Sequence, residues 1–364
     1  MGEQDNNQVF TNQLLKWYAS EKRELPWRNT KDPYRIWLSE VILQQTRIQQ
    51  GLPYYERFVQ TFPNVHSLAE AKEEEVLRLW QGLGYYSRAR NLHACARQVV
   101  EAYDGRFPES YAQLLELKGI GQYTAAAIAS FAFDKAHAVV DGNVFRVLSR
   151  YFGISDDISE ARSFKVFEAK ANALIPSTNA ANFNQAIMDF GAIQCKPKQP
   201  HCALCPLSAT CFAFNKGMIG QLPVKSKKIK VRKRYFNYLV ISYGEDYLMK
   251  ARGEKDIWQG LYDFALLESK KSQSVVNTLE AFEKKNGFSV AHHHGPVKHV
   301  LSHQQIFAQF IGLKVQDFDT FEQLKKEFDC QVFSADQIEA LPKPILIEKY
   351  LKEVVFSVDS MTKN

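Results

Sequence analysis

Through roughly the first two hundred residues, apolar side chains recur at helical spacing, and beyond that the period changes. Asp32-Pro33 reads as an N-cap followed by proline at the first helical position, and Tyr34, Trp37, Leu38, Val41 and Ile42 then fall at i, i+3, i+4, i+7 and i+8. The same spacing predicts helices over Glu73–Trp80, Ala89–Tyr103, Tyr111–Leu117, Tyr123–Phe133 and Val144–Tyr151. Strand signals are nearly absent before residue 220, so that half is expected to be all-α. Tyr235–Ser242 then alternates into a Tyr243-Gly244-Glu245-Asp246 turn, with Tyr247–Ala251 as its hairpin partner and Ile306–Val315 as another β-rich run. Val275–Phe288 and Ile345–Val354 carry helical spacing, which makes the second half α+β. No internal repeat or low-complexity segment interrupts either half.

Composition and charge locate the boundary. The chain of 364 residues is longer than one typical domain of about 100–200, and 45% hydrophobic with 24% charged residues excludes disorder throughout. Its net charge of +6 is uneven: residues 1–224 carry +2 and residues 235–364 carry −3, while Lys225–Arg234 alone carry +7. That stripe, with Pro223 before it, reads as a basic linker over 223–234 between domains at 1–222 and 235–364. Solvated linker, phosphate contact and partner surface all remain open for it. The N-terminus is polar and acidic, with no signal peptide, and Asn6 breaks a myristoylation pattern. The longest weakly polar run, Thr124–Phe133, is far short of a membrane span of about 18–20 residues. A soluble, cytoplasmic, monomeric protein without membrane contact is therefore expected.

Six cysteines are too few for a disulfide scaffold in so long a chain, and four of them cluster as Cys195-x6-Cys202-x2-Cys205-x5-Cys211. Thiolates this close can converge on one metal centre, and the spacing allows structural zinc or an iron–sulfur cluster. Four cysteines leave no open position for a water, which makes a structural role the expected one. Cys95 and Cys330 stand apart. A second constellation is Leu117-Lys118-Gly119-Ile120-Gly121-Gln122-Tyr123 between two helical segments, over about 111–133. Gly119 and Gly121 free backbone N–H groups to face outward at a helix start, a nest for one phosphate. An ordinary tight turn between helices has the same pattern.

Two carboxylates complete the set. Asp141, in Val140-Asp141-Gly142-Asn143-Val144, sits at the N-cap of the next helix, where dipole and amide donors are expected to hold it ionised. Glu40 interrupts an apolar stretch beside Trp37 and Leu43, where desolvation would raise its pKa. Alone, one is a plain helix cap and the other a solvated helix glutamate or a salt-bridge partner. Together they suit hydrolysis of an N-glycosidic bond, which needs an acid for the departing base and an anion for the oxocarbenium-like sugar. A base in a duplex must leave the stack to reach such a pair.

These motifs, in this order and over almost the whole chain, resemble the MutY family of adenine DNA glycosylases in the endonuclease III superfamily. The resemblance implies an all-α helix-hairpin-helix glycosylase domain with a [4Fe–4S] cluster loop at 195–211, followed by an α+β Nudix-like domain. It implies Cys195, Cys202, Cys205 and Cys211 as ligands of one [4Fe–4S] cluster. It makes Glu40, in Leu38-Ser39-Glu40-Val41-x-Leu43-Gln44-Gln45-Thr46, the acid that protonates adenine, chiefly at N7, and Asp141 the group that stabilises or captures the anomeric carbon. Tyr123 and Asn143 would orient the carboxylates and support that intermediate. Gln45 and Tyr85, the latter in Gly82-Leu83-Gly84-Tyr85-Tyr86-Ser87-Arg88, would fill or wedge the stack near the oxidised guanine, with core packing as the other reading for both Tyr85 and Tyr86. The implied partner is double-stranded DNA with adenine opposite 8-oxoguanine or guanine.

Position 123 separates the chain from endonuclease III-like enzymes, which carry a lysine there that forms a Schiff base and cleaves the strand. A tyrosine cannot form an imine, so base excision without efficient strand cleavage is expected. In the second half, Ile257-Trp258-Gln259-Gly260-Leu261-Tyr262-Asp263-Phe264 and His299-Val300-Leu301-Ser302-His303 resemble the segments of the Nudix-like domain that reads 8-oxoguanine. Leu301, Ser302 and His303 are the DNA-contacting residues implied, although Leu301 stands where an aromatic is common. The Nudix hydrolase box is missing, so pyrophosphatase activity is not expected. His292-His293-His294 reads as a polar loop rather than a metal site. An endonuclease III-like lyase and a non-enzymatic iron–sulfur DNA-binding protein are the competing readings, opposed by Tyr123 and by the two carboxylate motifs.

Overall fold

The helical stripes of the first half fold as their spacing implies. In a computed structural model of the chain, which describes residues 2–226, 230–254, 256–269 and 288–356, they form α1 (Glu3–Glu21), α2 (Pro33–Leu43), α3 (Ile48–Thr61), α4 (Val65–Glu70), α5 (Glu73–Trp80), α6 (Ser87–Tyr103), α7 (Tyr111–Glu116), α8 (Gln122–Phe133), α9 (Gly142–Phe152), α10 (Ala161–Leu174), α11 (Ala180–Ile193) and α12 (Phe212–Asn215). Asp32 caps α2 as expected, accepting from the Tyr34 amide at 2.9 Å. No helix among the described residues is long and apolar enough to cross a membrane.

Two compact units emerge, Met1–Glu70 with Asn91–Lys227, and Ala71–Arg90 with Lys228–Asn364. The helical segment Ala71–Arg90 thus packs with the second unit, and the division passes through α6. In the first unit, Phe10 and Leu14 of α1, Val147 and Leu148 of α9, Phe167 of α10, and Phe183 and Phe190 of α11 meet around α8. Thr124 to Phe131 of α8 are all buried, which is why this stretch is apolar on every face instead of along one stripe.

The second unit holds one six-stranded sheet in the order β4-β5-β1-β3-β2-β6, with β1 Arg232–Tyr243, β2 Asp246–Ala251, β3 Tyr262–Ser269, β4 Phe288–Val300, β5 Gln304–Val315 and β6 Gln331–Ser334. β1 and β5 run parallel and the other pairs antiparallel. Leu239, Ile241, Ala265, Ile311 and Leu313 on one face meet Phe321 and Leu324 of α13 (Phe318–Glu327). Two short helices follow, α14 (Ala335–Ala340) and α15 (Ile345–Tyr350).

One expectation changes here. His292–His294 do not form a loop; they lie in edge strand β4, paired with Gly312, Ile311 and Phe310. The alternation was hidden because β4 leaves most of its side chains at least partly exposed and is broken by two bulges. Among these histidines, His292 Nε2 lies 2.6 Å from the Tyr350 hydroxyl. The helix expected over Val275–Phe288 lies outside the described residues, except for Phe288, which begins β4. The last three residues of the basic stretch, Arg232 to Arg234, belong to β1. Lys227 and Lys228 are outside the described residues.

Candidate active site

Helices α2, α8, α9 and α11 wall a cavity of about 790 Å³ in the first unit, and all four expected catalytic residues line it: Glu40, Tyr123, Asp141 and Asn143. Glu40 projects from the last turn of α2 and is only 7% exposed. Burial pushes its carboxyl up from 4.5 to about 7, against a lowering by the Tyr123 hydroxyl, which donates to Oε2 at 2.7 Å, and by the charge of Arg28. The Asp141 charge acts on it in the upward direction, so the two acids feel one another. An acid of this kind is close to half protonated at neutral pH, where a proton donor is most effective.

Asp141 caps α9 as the sequence implied. Its Oδ1 accepts from the amides of Asn143 at 2.9 Å and Val144 at 2.8 Å, and its Oδ2 from the Asn143 side-chain amide at 2.8 Å. Burial raises the carboxyl more than these donors lower it, so the net shift is upward from the ordinary aspartate value. Asn143 is held in turn: its Oδ1 accepts from Arg146 at 2.8 Å, which turns its NH2 toward Asp141.

Sequence reasoning missed Arg28 and Asp189. Asp189 is fully buried in α11 and accepts a bidentate fork from Arg28 at 2.6 and 2.8 Å, as well as Arg23 Nε at 2.8 Å. The only hint was Leu25-Pro26-Trp27-Arg28, a short proline-led turn outside the helical stripes. Gln45 lines the same cavity and sits at φ 56°, a left-handed conformation rare for a side chain of its size.

The glycine hairpin joins α7 to α8. Gly119 has φ +74° and faces Asn91, where an added Cβ would come within 2.6 Å of that side chain, so both backbone and neighbour demand glycine. Gly121 is different. It is the N-cap of α8 with φ −96°, and nothing lies within 4 Å of where its Cβ would be. No side chain caps this helix start, so the first amides of α8 are left for an outside acceptor.

The four clustered cysteines are free and line a single cavity. The 195–211 loop is strapped down by two buried arginines. Arg150 donates to the backbone oxygens of Lys196 at 2.7 Å, Pro197 at 3.2 Å and Leu222 at 3.0 Å, and Arg146 to that of Cys195 at 2.7 Å. Arg150 Nη1 also lies 3.5 Å from Cys195 Sγ. This donor set fits a thiolate-ligated cluster, whose negative charge a buried guanidinium offsets. Among the described residues, no group of three or more His, Cys, Asp or Glu side chains is gathered to hold a single metal ion.

The second unit has its own cavity of about 380 Å³, lined by Tyr85, Trp258, Leu301, Ser302 and His303 among others. Here residues more than two hundred positions apart meet: the Tyr85 hydroxyl hydrogen-bonds Ser302 Oγ. Tyr85 is 39% exposed and left-handed at φ 49°, whereas Tyr86 is 6% exposed and accepts from the Gly82 amide, so only Tyr86 is a core residue. Trp258, at φ 63°, packs its ring edge-on to Phe236.

Residues 38–172 match the HhH-GPD superfamily of base excision DNA repair proteins, and residues 237–353 match the NUDIX domain. An adenine DNA glycosylase of Buchnera aphidicola (subsp. Schizaphis graminum, strain Sg) is 33% identical over 341 residues, spanning 93% of this chain and 96% of that protein. The adenine DNA glycosylase of Mus musculus is 44% identical over 223 residues, 59% of this chain and 43% of the mouse protein. The solved structure of a thermostable thymine-DNA glycosylase shares the fold at TM-score 0.54 and 32% identity, covering 58% of this chain and 98% of that one. With both domains matched and a relative aligned end to end, the chain belongs to the adenine DNA glycosylase family, enzymes with a helix-hairpin-helix domain followed by a Nudix-like domain.

Proposed function

We propose that this protein excises adenine mispaired with 8-oxoguanine or guanine in double-stranded DNA, and that Glu40 and Asp141 carry out the chemistry. The observation that carries the reading is the buried pair itself: a carboxylic acid near pKa 7, hydrogen-bonded by Tyr123, in one cavity with a second carboxylate fixed by three donors. Glu40 gives its proton to the departing adenine, and the glycosidic electron pair leaves with the base. The Asp141 carboxylate faces the positive charge that develops at the sugar, and water then adds at the anomeric carbon, its released proton restoring the Glu40 acid. Asn143, oriented by Arg146, keeps the Asp141 carboxylate in place. The cavity is of the size that takes a flipped-out nucleobase.

The hairpin at Gly119 and Gly121 receives a DNA phosphate on the free amides of α8. The four cysteines hold a [4Fe–4S] cluster that ties the 195–211 loop together, its contribution here being structural. We read residues 1–222 as the catalytic part, 223–234 as a basic connector and 235–364 as the part that reads the oxidised guanine through Leu301, Ser302 and His303, with Tyr85 and Gln45 wedging the stack. The family to which the chain belongs and the shared cavity of Tyr85 with residues 301–303 support this.

One assay tests the proposal. Duplexes with A opposite 8-oxoguanine, A opposite G, or thymine glycol are incubated with the protein, with and without later alkali. Alkali-dependent cleavage of the adenine strand alone is expected. Cleavage at thymine glycol, or abundant borohydride-trapped enzyme–DNA adduct, would favour the endonuclease III-like lyase instead, because Tyr123 has no amine to form it.

A further inference from the structure

The cavity that holds Tyr85 and Ser302 is walled by three separate segments: 83–90, 256–258 and 300–304. Each pair of segments is joined by a side chain. Tyr85 bonds Ser302, which ties the first to the third. Arg90 Nη1 donates at 2.8 Å to the carbonyl of Gln259, the residue directly after the second segment, which ties the first to the second. Joining the second to the third falls to Arg234, the third residue of β1 and the last of the basic stretch.

Arg234 is unlike Lys225, Lys230 and Lys233, which are exposed. Its side chain is 7% exposed, and all five of its N–H groups have acceptors. Nε and Nη2 fork onto Glu268 at 2.7 and 2.6 Å, while Nη1 and Nη2 fork onto Asp256 at 2.6 and 2.9 Å. The remaining N–H of Nη1 reaches Gln304 Oε1 at 3.2 Å. Asp256 and Gln304 both line the cavity, from opposite segments. The guanidinium also lies over the Phe236 ring, 4.7 Å from its centre, and Phe236 is the ring against which Trp258 packs. A planar fork with five fixed directions is the one cationic side chain that can serve two carboxylates and an amide at once. It occupies a place where charge alone would need only a lysine.

We propose that Arg234 is the positioning residue of the lesion-reading cavity, holding the 256–258 loop and the 300–304 turn in register so that the enzyme distinguishes 8-oxoguanine from guanine. This rests on the reading of that cavity given above. The two bases differ at one edge, by a carbonyl oxygen and an N–H, so discrimination depends on hydrogen bonds that weaken steeply with displacement. Loosening the walls should therefore reduce the preference for the oxidised base before it reduces excision itself.

The test compares the wild type with Arg234→Lys, in single-turnover excision and in duplex binding, on A opposite 8-oxoguanine and A opposite G. Lysine keeps the positive charge between Asp256 and Glu268 but offers three donors to five acceptor atoms. The ratio of 8-oxoguanine to guanine rates should fall about tenfold, the weight of one well-made hydrogen bond, with the rate on A opposite G close to wild type and the melting temperature lowered by a few degrees for the buried acceptors left unpaired. An unchanged ratio, or an equal loss on both duplexes, overturns the proposal, the second because it marks a purely structural role. Should Arg234→Lys fail to fold, Glu268→Gln decides: its side chain is 33% exposed and lies outside the cavity, and about a threefold fall in the ratio is expected from weakening one charged partner. An unchanged ratio there also overturns it. If the wild type itself shows no preference for the oxidised base, the reading of the cavity fails first, and this proposal with it.

Discussion

Glu40 owes its chemistry to where it is buried, and that has two measurable consequences. Its carboxyl stands at about 7 in the folded protein against 4.5 ordinarily, with burial the largest cause. As the proton donor it must be protonated, so single-turnover excision should decline about tenfold per pH unit above that value, and Glu40→Gln should abolish turnover while sparing duplex binding. Tyr123→Phe removes the hydroxyl that favours the ionised form; the alkaline limb of the same profile should then move to higher pH, and a limb that stays in place would mean another group sets it. Stability follows the same titration. Below pH 4.5 both folded and unfolded chains hold this proton and no cost arises; between 4.5 and about 7 only the folded chain holds it, so stability falls as pH rises, and the loss is complete above that window. At roughly 1.4 kcal/mol per pH unit the loss comes to about 3 kcal/mol, so Glu40→Gln should be more stable than wild type at pH 8 and similar to it at pH 4 in urea unfolding.

At the level of elements, the α7–α8 hairpin separates two glycines that look alike in sequence. Gly119→Ala forces a Cβ into a left-handed backbone and against Asn91, and should cost about 1–2 kcal/mol of stability in thermal or urea unfolding. Gly121→Val has room and an ordinary φ, so the fold should hold, while the added bulk stands between the α8 amides and a phosphate. Its DNA affinity should drop several-fold for matched and mismatched duplexes alike, as filter binding or fluorescence anisotropy can check. Helix α8 and the capped starts of α2 and α9 were legible because their signals are local: an apolar run, a proline at the first turn, an aspartate at the cap. Strand β4 was not, because an edge strand with two bulges has no strict alternation to read.

For the whole molecule, the charge map is sharper than a net +6. Of the +7 stripe, Arg234 is spent inside the second unit on Asp256 and Glu268, so any phosphate contact falls to the residues before it. Neutralising Lys227, Lys228 and Lys230 should weaken binding to matched and mismatched DNA equally and flatten the salt dependence of affinity. A loss confined to 8-oxoguanine duplexes would instead place these lysines at the lesion. The cysteine loop makes a prediction of its own. Purified protein should carry about four irons per chain, and Cys202→Ser should lower iron content together with thermal stability, because a cluster held by four ligands closes the 195–211 loop.

The sequence by itself determined what depends on neighbours along the chain: the helices, the Asp141 cap, the glycine hairpin, the cysteine spacing, the family resemblance, and a glutamate placed where apolar neighbours desolvate it. Tertiary structure alone decided what depends on residues brought together from afar. Glu40 and Asp141 share a cavity because α2 packs against the buried α8 while α9 packs against α11, which itself lies on α8, and burial, not the helix dipole, sets the direction of Asp141's titration. Arg28 meets Asp189 across 161 positions, Tyr85 meets Ser302 across 217, and Arg234 leaves the basic stretch for a buried ion cluster. Spacing along a chain fixes local geometry, whereas desolvation and ion pairing depend on what folding places on the other side.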